Sequence, residues 1–532
     1  MRFFNTAGPI RREEHYHVPP LDQGRLDADE VRLLIRQRKY FALHAPRQTG
    51  KTSALLALRD ELNAAGEVRC VYVNVEVGQT AREDVAAGMR AILSALASGA
   101  RHASDDEWLA ATWPGILERA GPHDALRETL SRWAESNPTP VVLLIDEIDA
   151  LVGDTLLAVL RQLRAGYPER PSRFPQSVVL CGVRDVRDYR IRSGAENAIV
   201  AGGSAFNVRA ASLRLGDFSR ADVESLLAQH TADTGQVFTA EARAVIWDLT
   251  GGQPWLVNAL AYEACFANKA GRDRSRPITA AAVQDAREQL ISRRETHLDQ
   301  LADKLQEERV RRVVEPLLSG APSAEAVLAD DIEYVRDLGL VRRDDPIAIA
   351  NPIYREVIPR ELTFPVQATV TDDPAWYVGA DGALQVDKLL VAFQAFFREH
   401  SEHWVERFQY KEAGPQLLLQ AFLQRIVNSG GRIEREYGLG RMRTDLLIVW
   451  PSDGDVDTVA AQKAVIECKV LRRSLDETLR EGLRQTRAYM DRCAAAEGHL
   501  VIFDRTEGRA WDQKVYRREE ADAGAPVTVW GM

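Results

Sequence analysis

Residues 45 to 52 have the composition and the setting of a loop that binds phosphate groups. The loop follows the apolar run YFALH and precedes SALLALRDELN, a stretch typical of a helix. It fits the pattern GxxxxGK[ST] except at the first position, where alanine replaces glycine. Its residues are Ala45, Pro46, Arg47, Gln48, Thr49, Gly50, Lys51 and Thr52. We expect backbone N–H groups and a helix N-terminus to face the phosphates, Lys51 to reach the outer phosphates, and the Thr52 hydroxyl to ligate Mg²⁺.

An acidic pair follows the apolar run VVLLI further along the chain. Asp146 and Glu147 would lie at the carboxyl end of a buried strand, where ligands bind in open α/β sheets. In this position Asp146 would hold Mg²⁺ through water, and Glu147 would polarise the attacking water. An acidic pair after one strand is weak on its own, because acidic residues also cap helices. Combined with the phosphate loop, it predicts a site that hydrolyses a nucleotide.

A third set of charged residues lies in the last part of the chain. Asp445 opens the apolar run LLIVW, and the run AVIECKV carries Glu467 and Lys469. Residues two apart in a strand share a face, so Glu467 and Lys469 would point the same way. If the Asp445 strand lies beside them, two carboxylates could hold Mg²⁺ or Mn²⁺ while the lysine orients a nucleophile or stabilises charge. The alternative interpretation is a solvated pair of opposite charges on a strand.

The composition is that of an ordinary globular protein. At roughly 150 residues per domain, 532 residues predict three or four folding units. Hydrophobic residues make up 45% and charged residues 27%, which excludes disorder throughout the chain. The net charge of −10 gives no general attraction to nucleic acid, so DNA binding would require a local basic surface.

Neither a membrane segment nor an oxidising compartment is indicated by the residues. No run approaches the roughly 20 apolar residues of a membrane-spanning helix, and the first residues lack the apolar core of a signal peptide. The five cysteines are widely spread and contain no CxxC pair, which argues against a zinc cluster or a disulfide framework. We therefore expect a cytoplasmic protein with reduced thiols.

Apolar runs and helix-period segments alternate in the first part of the chain. The runs at 40–44, 69–75, 141–145 and 177–183 predict buried strands of a parallel sheet covered on both faces. Helices are then predicted at 220–231, 240–249, 254–268 and 280–317, and 332–354 has the pattern of a winged-helix ending. Turn-forming residues at 364–384 indicate a linker. The predicted domains are 1–215, 216–363 and 385–532, with that linker between the last two.

The first two motifs resemble those of AAA-like P-loop ATPases, in the branch close to the STAND and archaeal-type ATPases, over about residues 1–360. The resemblance implies ATP with Mg²⁺, and a strand ending in a polar sensor between the two motif strands. By similarity Arg184 would sense the γ-phosphate, although it also belongs to an arginine-rich run. Pro254, in the segment GGQP, would pack near the base, although proline commonly starts helices. A winged domain in this branch often serves as a lid, and reading DNA is the other interpretation.

The third set resembles the PD-(D/E)xK nuclease superfamily over about residues 385–510. Gln485 and Tyr489 lie one turn apart on the next helix, similar to the QxxxY element of RecB-like members. The usual proline before the aspartate is absent, since Thr444 stands there. A further metal-binding glutamate is expected, for which Glu412, Glu434 and Glu436 compete, with Glu436 preferred. Nearby arginines could contact phosphates or pair with glutamates on the same helix. They are Arg472, Arg473, Arg480, Arg484, Arg487 and Arg492.

Together these patterns favour an ATPase joined to a metal-dependent nuclease that acts on DNA, with the possibility of a nucleotide-dependent homo-oligomer. Two alternatives remain open from the sequence. One is a nucleotide-controlled signalling switch whose C-terminal domain binds nucleic acid or a partner without cutting. The other is an ATPase that loads onto DNA through the winged domain.

Overall fold

The computed structural model describes most of the chain, and all structural statements concern the residues it describes. These are residues 2–21, 25–104, 106–185, 190–193, 198–201, 206–293, 303–319, 328–358, 377–379, 382–407, 418–420, 422–423, 432–439, 442–450, 461–471, 474–504, 506, 509–521 and 525–532. The chain divides into two compact units. The first comprises Met1–Arg293 and Tyr334–Gly339, and the second Arg294–Glu333 and Leu340–Met532.

The first unit is built on a five-stranded parallel sheet. The strands described in the first unit are, in chain order, β1 (Phe3–Phe4), β2 (His15–Tyr16), β3 (Tyr40–His44), β4 (Arg69–Asn74), β5 (Val141–Asp146), β6 (Ser177–Gly182), β7 (Arg190–Ser193), β8 (Ala198–Ala201) and β9 (Arg209–Arg214). The order across the main sheet is β4-β5-β6-β3-β9, while β1 pairs with β2 and β7 with β8. The predicted parallel sheet is confirmed, and β6 lies between the two motif strands β3 and β5 as the family resemblance implied.

Helices cover both faces of this sheet. The helices that pack there are α1 (Ala28–Arg36), α2 (Lys51–Ala65), α3 (Val85–Ser104), α4 (Trp108–Ala120), α5 (Ala125–Ser136) and α6 (Gly153–Gly166). Further along the chain follow α7 (Arg220–Thr234), α8 (Ala240–Thr250), α9 (Pro254–Tyr262) and α10 (Ala280–Ser292). The two faces of the sheet have separate apolar clusters. Leu143 and Ile145 of β5 belong to one cluster, and Val142 and Leu144 belong to the other. Because alternate residues of one strand enter two cores, the strands read as continuous apolar runs.

Three β structures of the first unit were absent from the predictions: the β1–β2 pair, strand β9 and the β7–β8 hairpin. Strand β9 has the sequence RAASLR, in which most residues are only partly buried, so it lacks the apolar run of a central strand. It lies at the edge of the sheet beside β3. The β7–β8 hairpin is inserted between β6 and β9, and its backbone pairing runs from Arg190↔Ala201 to Ser193↔Ala198.

The prediction of one helix over 280–317 is wrong. Helix α10 ends at Ser292, and a separate helix, α11 (Glu308–Ser319), begins later. Before α11 the backbone forms tight turns, with bonds from Gln306 N to Asp303 O at 3.2 Å and from Glu307 N to Lys304 O at 3.1 Å. These bonds span three residues instead of the four of an α-helix, which is how a chain redirects between helices. Helix α12 (Ala329–Asp337) follows, and an antiparallel bridge pairs Val341 with Ile349.

The second unit contains a six-stranded mixed sheet. Its elements are α13 (Val386–Arg407), β10 (Arg432–Leu439), β11 (Met442–Trp450), β12 (Gln462–Val470), α14 (Leu475–Cys493), β13 (Glu497–Phe503), α15 (Trp511–Lys514), β14 (Tyr516–Glu520) and β15 (Val527–Gly531). The strand order is β10-β11-β12-β13-β15-β14. Strand β12 is antiparallel to β11 and parallel to β13, so it lies well inside the sheet. The four predicted strands are present, while β14 and β15 were missed.

Each face of this second sheet has its own core. Phe393 of α13 packs with Leu446 and Ile466 on one face. Met490 of α14 packs with Leu447 and Val465 on the other. In the described part of the chain no helix combines the length and the apolar character needed to cross a membrane.

A close approach between helix α3 and strand β4 depends on a glycine. A Cβ atom added to Gly99 would lie 2.4 Å from the carbonyl oxygen of Tyr72. Alanine usually stabilises a helix relative to glycine, by about 1 kcal/mol. Here the clash with backbone should reverse the sign, and we expect Gly99→Ala to lower the free energy of unfolding by roughly 1–3 kcal/mol in urea titrations. The matched control is Gly115→Ala in α4, where the nearest atom is the end of the Arg119 side chain at 3.2 Å. Equal stability changes in the two variants would contradict the packing argument.

Candidate functional site

The phosphate loop follows β3 and ends at the first residue of α2. Gly50 has a φ of 93°, a left-handed conformation that favours glycine, and Lys51 begins the helix. At the first position of the pattern, Ala45 is fully buried and does not adopt a positive φ. Its N–H donates to the carbonyl oxygen of Gly182 on β6 at 3.3 Å. Because the backbone here does not need glycine, alanine is compatible with the loop.

The Lys51 ammonium lies inside the loop. It donates hydrogen bonds to the carbonyl oxygens of Ala45 and Pro46, both at 3.0 Å, and its side chain is buried. The Thr49 hydroxyl donates to the carbonyl oxygen of Pro46 at 2.5 Å. The lysine is therefore positioned at the concave side of a loop that begins a helix, which is where a phosphate would be bound.

Asp146 connects the loop with the acidic pair. It is fully buried at the end of β5, and its Oδ2 accepts hydrogen bonds from the Thr52 hydroxyl at 2.7 Å and from the Tyr72 hydroxyl at 2.9 Å. A hydroxyl and a carboxylate side by side are oxygen ligands of the kind that Mg²⁺ prefers. The residues present thus fit the predicted ion, with Thr52 as its ligand and Asp146 as its support.

Glu147 adopts a left-handed conformation directly after β5, with φ 56° and ψ 41°. Its backbone N–H donates to Oδ1 of Asp146 at 3.0 Å. Burial raises the pKa of Glu147, the Lys51 charge opposes this shift, and the neighbouring Asp149 and Asp146 add to it. A carboxylate with a raised pKa is a better proton acceptor, which suits the predicted role of polarising water.

Arg184 lies two residues beyond β6, and the structure gives its side chain specific neighbours. Its Nε is 3.5 Å from Oδ2 of Asp337, and its guanidinium lies over the ring of Tyr334, 4.8 Å from the centroid. Nearby, a Cβ added to Gly339 would lie 2.7 Å from Cγ of Pro46. The segment Tyr334–Gly339 therefore contacts both the phosphate loop and the predicted sensor. Whether Arg184 senses a phosphate stays a prediction.

Pro254 occupies the first turn of α9, where the Gln253 side chain caps the helix through a 2.6 Å bond to Leu256 N. The adjacent Trp255 donates from Nε1 to the carbonyl oxygen of Thr6 at 2.9 Å. Thr6 belongs to the N-terminal segment before β2. In the same segment, Ile10 N donates to the hydroxyl of Ser53 in α2 at 3.0 Å. The N-terminal segment is thus in contact with both α9 and the start of α2. The role of Pro254 at the base stays a prediction.

Two residues at the nucleotide site were not found from the sequence. Tyr72 contacts Asp146, and the buried guanidinium of Arg25 donates to the carbonyl oxygens of Thr49 and Gly216. Burial lowers the pKa of Arg25 to about 10. No motif includes either residue. For Tyr72 a signal existed: Tyr72 and Asn74 bring polar groups to the end of an otherwise apolar strand.

In the second unit, Glu467 and Lys469 form a pair on β12. The Lys469 Nζ donates to Oε1 of Glu467 at 2.7 Å. Glu467 is only 3% exposed. The two side chains therefore share a face, as the alternation of the strand predicted. A buried carboxylate is costly unless it is paired or binds a metal, so this pair differs from a solvated surface pair.

Helix α14 covers the face of the sheet that carries Glu467 and Lys469. Val465, two residues before Glu467, shares an apolar cluster with Tyr489. Tyr489 is buried, and Gln485 donates from Nε2 to Oε1 of Glu481 at 3.3 Å. The structure therefore brings the helix of the QxxxY element to the face that carries Glu467 and Lys469. The catalytic roles of Gln485 and Tyr489 stay predictions.

The remaining residues of the predicted nuclease site are described only in part. Of Asp445, Glu434 and Glu436 only the backbone is described, and Glu412, Arg472 and Arg473 lie outside the described residues. Within the described residues no group of three or more His, Cys, Asp or Glu side chains could hold a metal ion.

Among the arginines predicted to contact phosphates, Arg487 donates to the carbonyl oxygens of Ala525 and Glu520, at 3.3 and 3.0 Å. That arginine is therefore bonded to the protein's own backbone.

Comparison with known proteins gives the class of the domain that contains the first site. Residues 35–189 match the family model described as an AAA domain. Similar solved structures include a Walker-type ATPase of Pyrococcus abyssi, at 13% identity and a TM-score of 0.47, covering 67% of this chain and 99% of that one. Another is Cdc6p of Pyrobaculum aerophilum, at 15% identity and a TM-score of 0.35, covering 66% and 95%. A third is the RuvB Holliday junction branch migration motor of Thermotoga maritima, at 12% identity and a TM-score of 0.33, covering 63% and 95%.

Among curated proteins no match is found. The AAA family match and the phosphate-loop geometry agree on the class of the first unit. Residues 35–189 form an AAA-type P-loop ATPase domain.

The raised pKa of Glu147 predicts the pH dependence of ATP hydrolysis. The carboxylate must be ionised to polarise water, so the rate should fall as the pH drops through this pKa, above the ordinary glutamate value of about 4.3. The measurement is the rate at saturating Mg-ATP against pH. Asp149→Asn removes a charge that raises the pKa, so it should move the acid limb to lower pH. Asp60→Asn, on the exposed side of α2, should not. An acid limb in the same place for all three proteins would contradict the assignment.

Proposed function

We propose that this protein is an ATP-hydrolysing AAA-type protein whose C-terminal domain is a metal-dependent nuclease acting on DNA. In this proposal Lys51, Thr52 and Asp146 bind the nucleotide phosphates and Mg²⁺, and Glu147 polarises the attacking water. In the C-terminal domain Glu467 and Asp445 hold Mg²⁺ or Mn²⁺, and Lys469 orients the nucleophile or stabilises charge. A nucleotide-dependent homo-oligomer remains compatible with this proposal.

The observation that carries the nuclease proposal is the buried Glu467–Lys469 pair on β12. Its 2.7 Å contact places an ammonium beside a carboxylate that is almost inaccessible to solvent. Structural ion pairs of this kind contribute little net stability compared with apolar residues of the same size. A site that binds a divalent cation and a phosphate gives both groups a function: the carboxylate is a ligand, and the lysine balances the charge of the substrate.

The register of the sheet supports a metal site at this place. Strand β11 pairs Leu446 with Ile466 of β12, so continuing the register by one residue brings Asp445 opposite Glu467. Strand β10 pairs with β11 at Arg435↔Leu446 and at Tyr437↔Thr444. One residue of each strand lies between these two pairs, Glu436 on β10 and Asp445 on β11, so Glu436 is opposite Asp445. Directly opposite residues of an antiparallel pair belong to the same face. The backbone thus favours Glu436, among the three competing glutamates, as the additional metal ligand.

Strand alternation agrees with this arrangement. Leu447 and Val449, two and four residues after Asp445, lie in the apolar cluster of α14, together with Val465. Positions 445 and 467 therefore belong to the face that α14 covers. The phosphodiester would approach at the ends of these strands, and DNA is the substrate that the nuclease resemblance implies.

The direct test is Lys469→Ala, with Lys463→Ala as the matched control. Lys463 lies on the same strand and donates to the carbonyl oxygen of Cys493 at 3.2 Å, away from Glu467. We expect Lys469→Ala to slow nicking of supercoiled DNA at least about a hundredfold in Mg²⁺ or Mn²⁺, because it removes a group that stabilises developing charge. ATP hydrolysis should be unchanged in both variants, and Lys463→Ala should cut like the wild type.

Equal cutting by the two variants would mean that the activity arises elsewhere. Loss of both cutting and ATP hydrolysis in Lys469→Ala would contradict the separation of the two sites. Wild-type protein that binds ATP but cuts no DNA would favour the second candidate function.

That second candidate is a nucleotide-controlled switch without nuclease activity. The contacts of Tyr334–Gly339 favour it, because Asp337 pairs with Arg184 and Gly339 packs against Pro46 of the phosphate loop. A phosphate bound at the loop would compete with Asp337 for Arg184, if Arg184 is the sensor. The segment Tyr334–Gly339 would then respond to nucleotide binding, as the predicted lid role of this region requires.

A further inference from the structure

The nucleotide site contains a hydroxyl group to which the roles above give no function, that of Tyr72. Tyr72 is on β4, next to β5 in the sheet, and the register pairs Tyr72 with Leu144 and Asn74 with Asp146. The side chain of Tyr72 therefore extends past two residues of the neighbouring strand to reach Asp146. Its hydroxyl donates to Oδ2 of Asp146 at 2.9 Å.

Asp146 accepts three directed hydrogen bonds. Oδ2 receives the Tyr72 and Thr52 hydroxyls, at 2.9 and 2.7 Å, while Oδ1 receives the backbone N–H of Glu147 at 3.0 Å. Donors on both oxygens fix the rotation of the carboxylate about its last bond. Of the three, Thr52 is the one whose oxygen would also ligate Mg²⁺, so the orientation of Asp146 determines where Thr52 is held.

The tyrosine is suited to be a permanent donor. Burial raises the pKa of Tyr72, and the charge of Asp146 raises it further, so the phenol keeps its proton at neutral pH. A protonated phenol beside a carboxylate donates, so the 2.9 Å hydrogen bond runs from the Tyr72 hydroxyl to Oδ2 of Asp146.

We propose that Tyr72 is a positioning residue for the Mg²⁺ that accompanies the nucleotide. By holding Oδ2 of Asp146 against the Thr52 hydroxyl, it keeps that hydroxyl oriented for the ion before the ion arrives. This inference rests on the proposed ATP site and adds a residue to it. Groups that orient metal ligands commonly contribute about tenfold or more to metal affinity.

The test is a Mg²⁺ titration of Tyr72→Phe, monitored through a fluorescent ATP analogue at saturating concentration. The matched control is Tyr40→Phe, because the buried Tyr40 hydroxyl donates to the carbonyl oxygen of Pro175 at 3.0 Å and does not contact Asp146. We expect the Mg²⁺ concentration at half saturation to rise about tenfold in Tyr72→Phe and to stay unchanged in Tyr40→Phe. The affinity for the analogue in EDTA should be equal in all three proteins.

The same rise is expected for Tyr72→Met, which also lacks the hydroxyl and provides a second variant if Tyr72→Phe fails to fold. Wild-type Mg²⁺ affinity in either Tyr72→Phe or Tyr72→Met, whichever folds, would overturn the proposal. So would equal shifts in Tyr72→Phe and Tyr40→Phe, since these would reflect a general loss of stability. If the wild type does not bind the analogue at all, the proposed ATP site itself is wrong, and Tyr72 has no metal to position.

Discussion

The nucleotide site depends on one buried carboxylate, Asp146. Thr52 follows β3 and Asp146 ends β5, and β6 lies between these two strands. The 2.7 Å hydrogen bond from Thr52 to Asp146 therefore bridges across an intervening strand and joins the phosphate loop to the acidic pair Asp146 and Glu147. The parallel sheet makes this possible, because the carboxyl ends of its strands meet at one edge. Without this contact, Lys51 and Glu147 would belong to two unconnected loops.

The second unit meets a similar constraint by different means. Its candidate site residues Glu467 and Lys469 lie on β12, a strand inside a mixed sheet. Apolar residues of α13 and α14 cover the two faces of that sheet. A carboxylate that is 3% exposed in such a strand has to be compensated, and Lys469 is the partner that the structure places beside it. Both units therefore place acidic groups at strand positions where burial makes an isolated charge unfavourable. In the first unit hydrogen-bond donors compensate the charge, and in the second an ammonium does.

The sequence was sufficient for the features that local patterns determine. Continuous apolar runs predicted β3 to β6, and strand alternation predicted that Glu467 and Lys469 share a face. Strand β9 was missed because RAASLR at the sheet edge lacks an apolar run, and the break near Gln306 was missed because helical periodicity continues on both sides of it. Tyr72 and Arg25 could not be assigned from motifs, since their contacts with Asp146 and Thr49 arise from tertiary packing. The sequence preferred Glu436 weakly among three glutamates, and the strand register adds a reason for the same choice in the proposed site, because it places Glu436 opposite Asp445.

The central claim is that one polypeptide contains two separate sites for divalent cations, of which one requires a nucleotide. The most direct measurement is the number of Mn²⁺ ions bound per chain, determined by electron paramagnetic resonance with and without a non-hydrolysable ATP analogue. We expect bound Mn²⁺ without the nucleotide that Glu467→Gln removes, and additional bound Mn²⁺ with the analogue that Thr52→Ala removes. Binding that appears only with the analogue, and that Glu467→Gln leaves unchanged, would contradict the second site and with it the proposed nuclease.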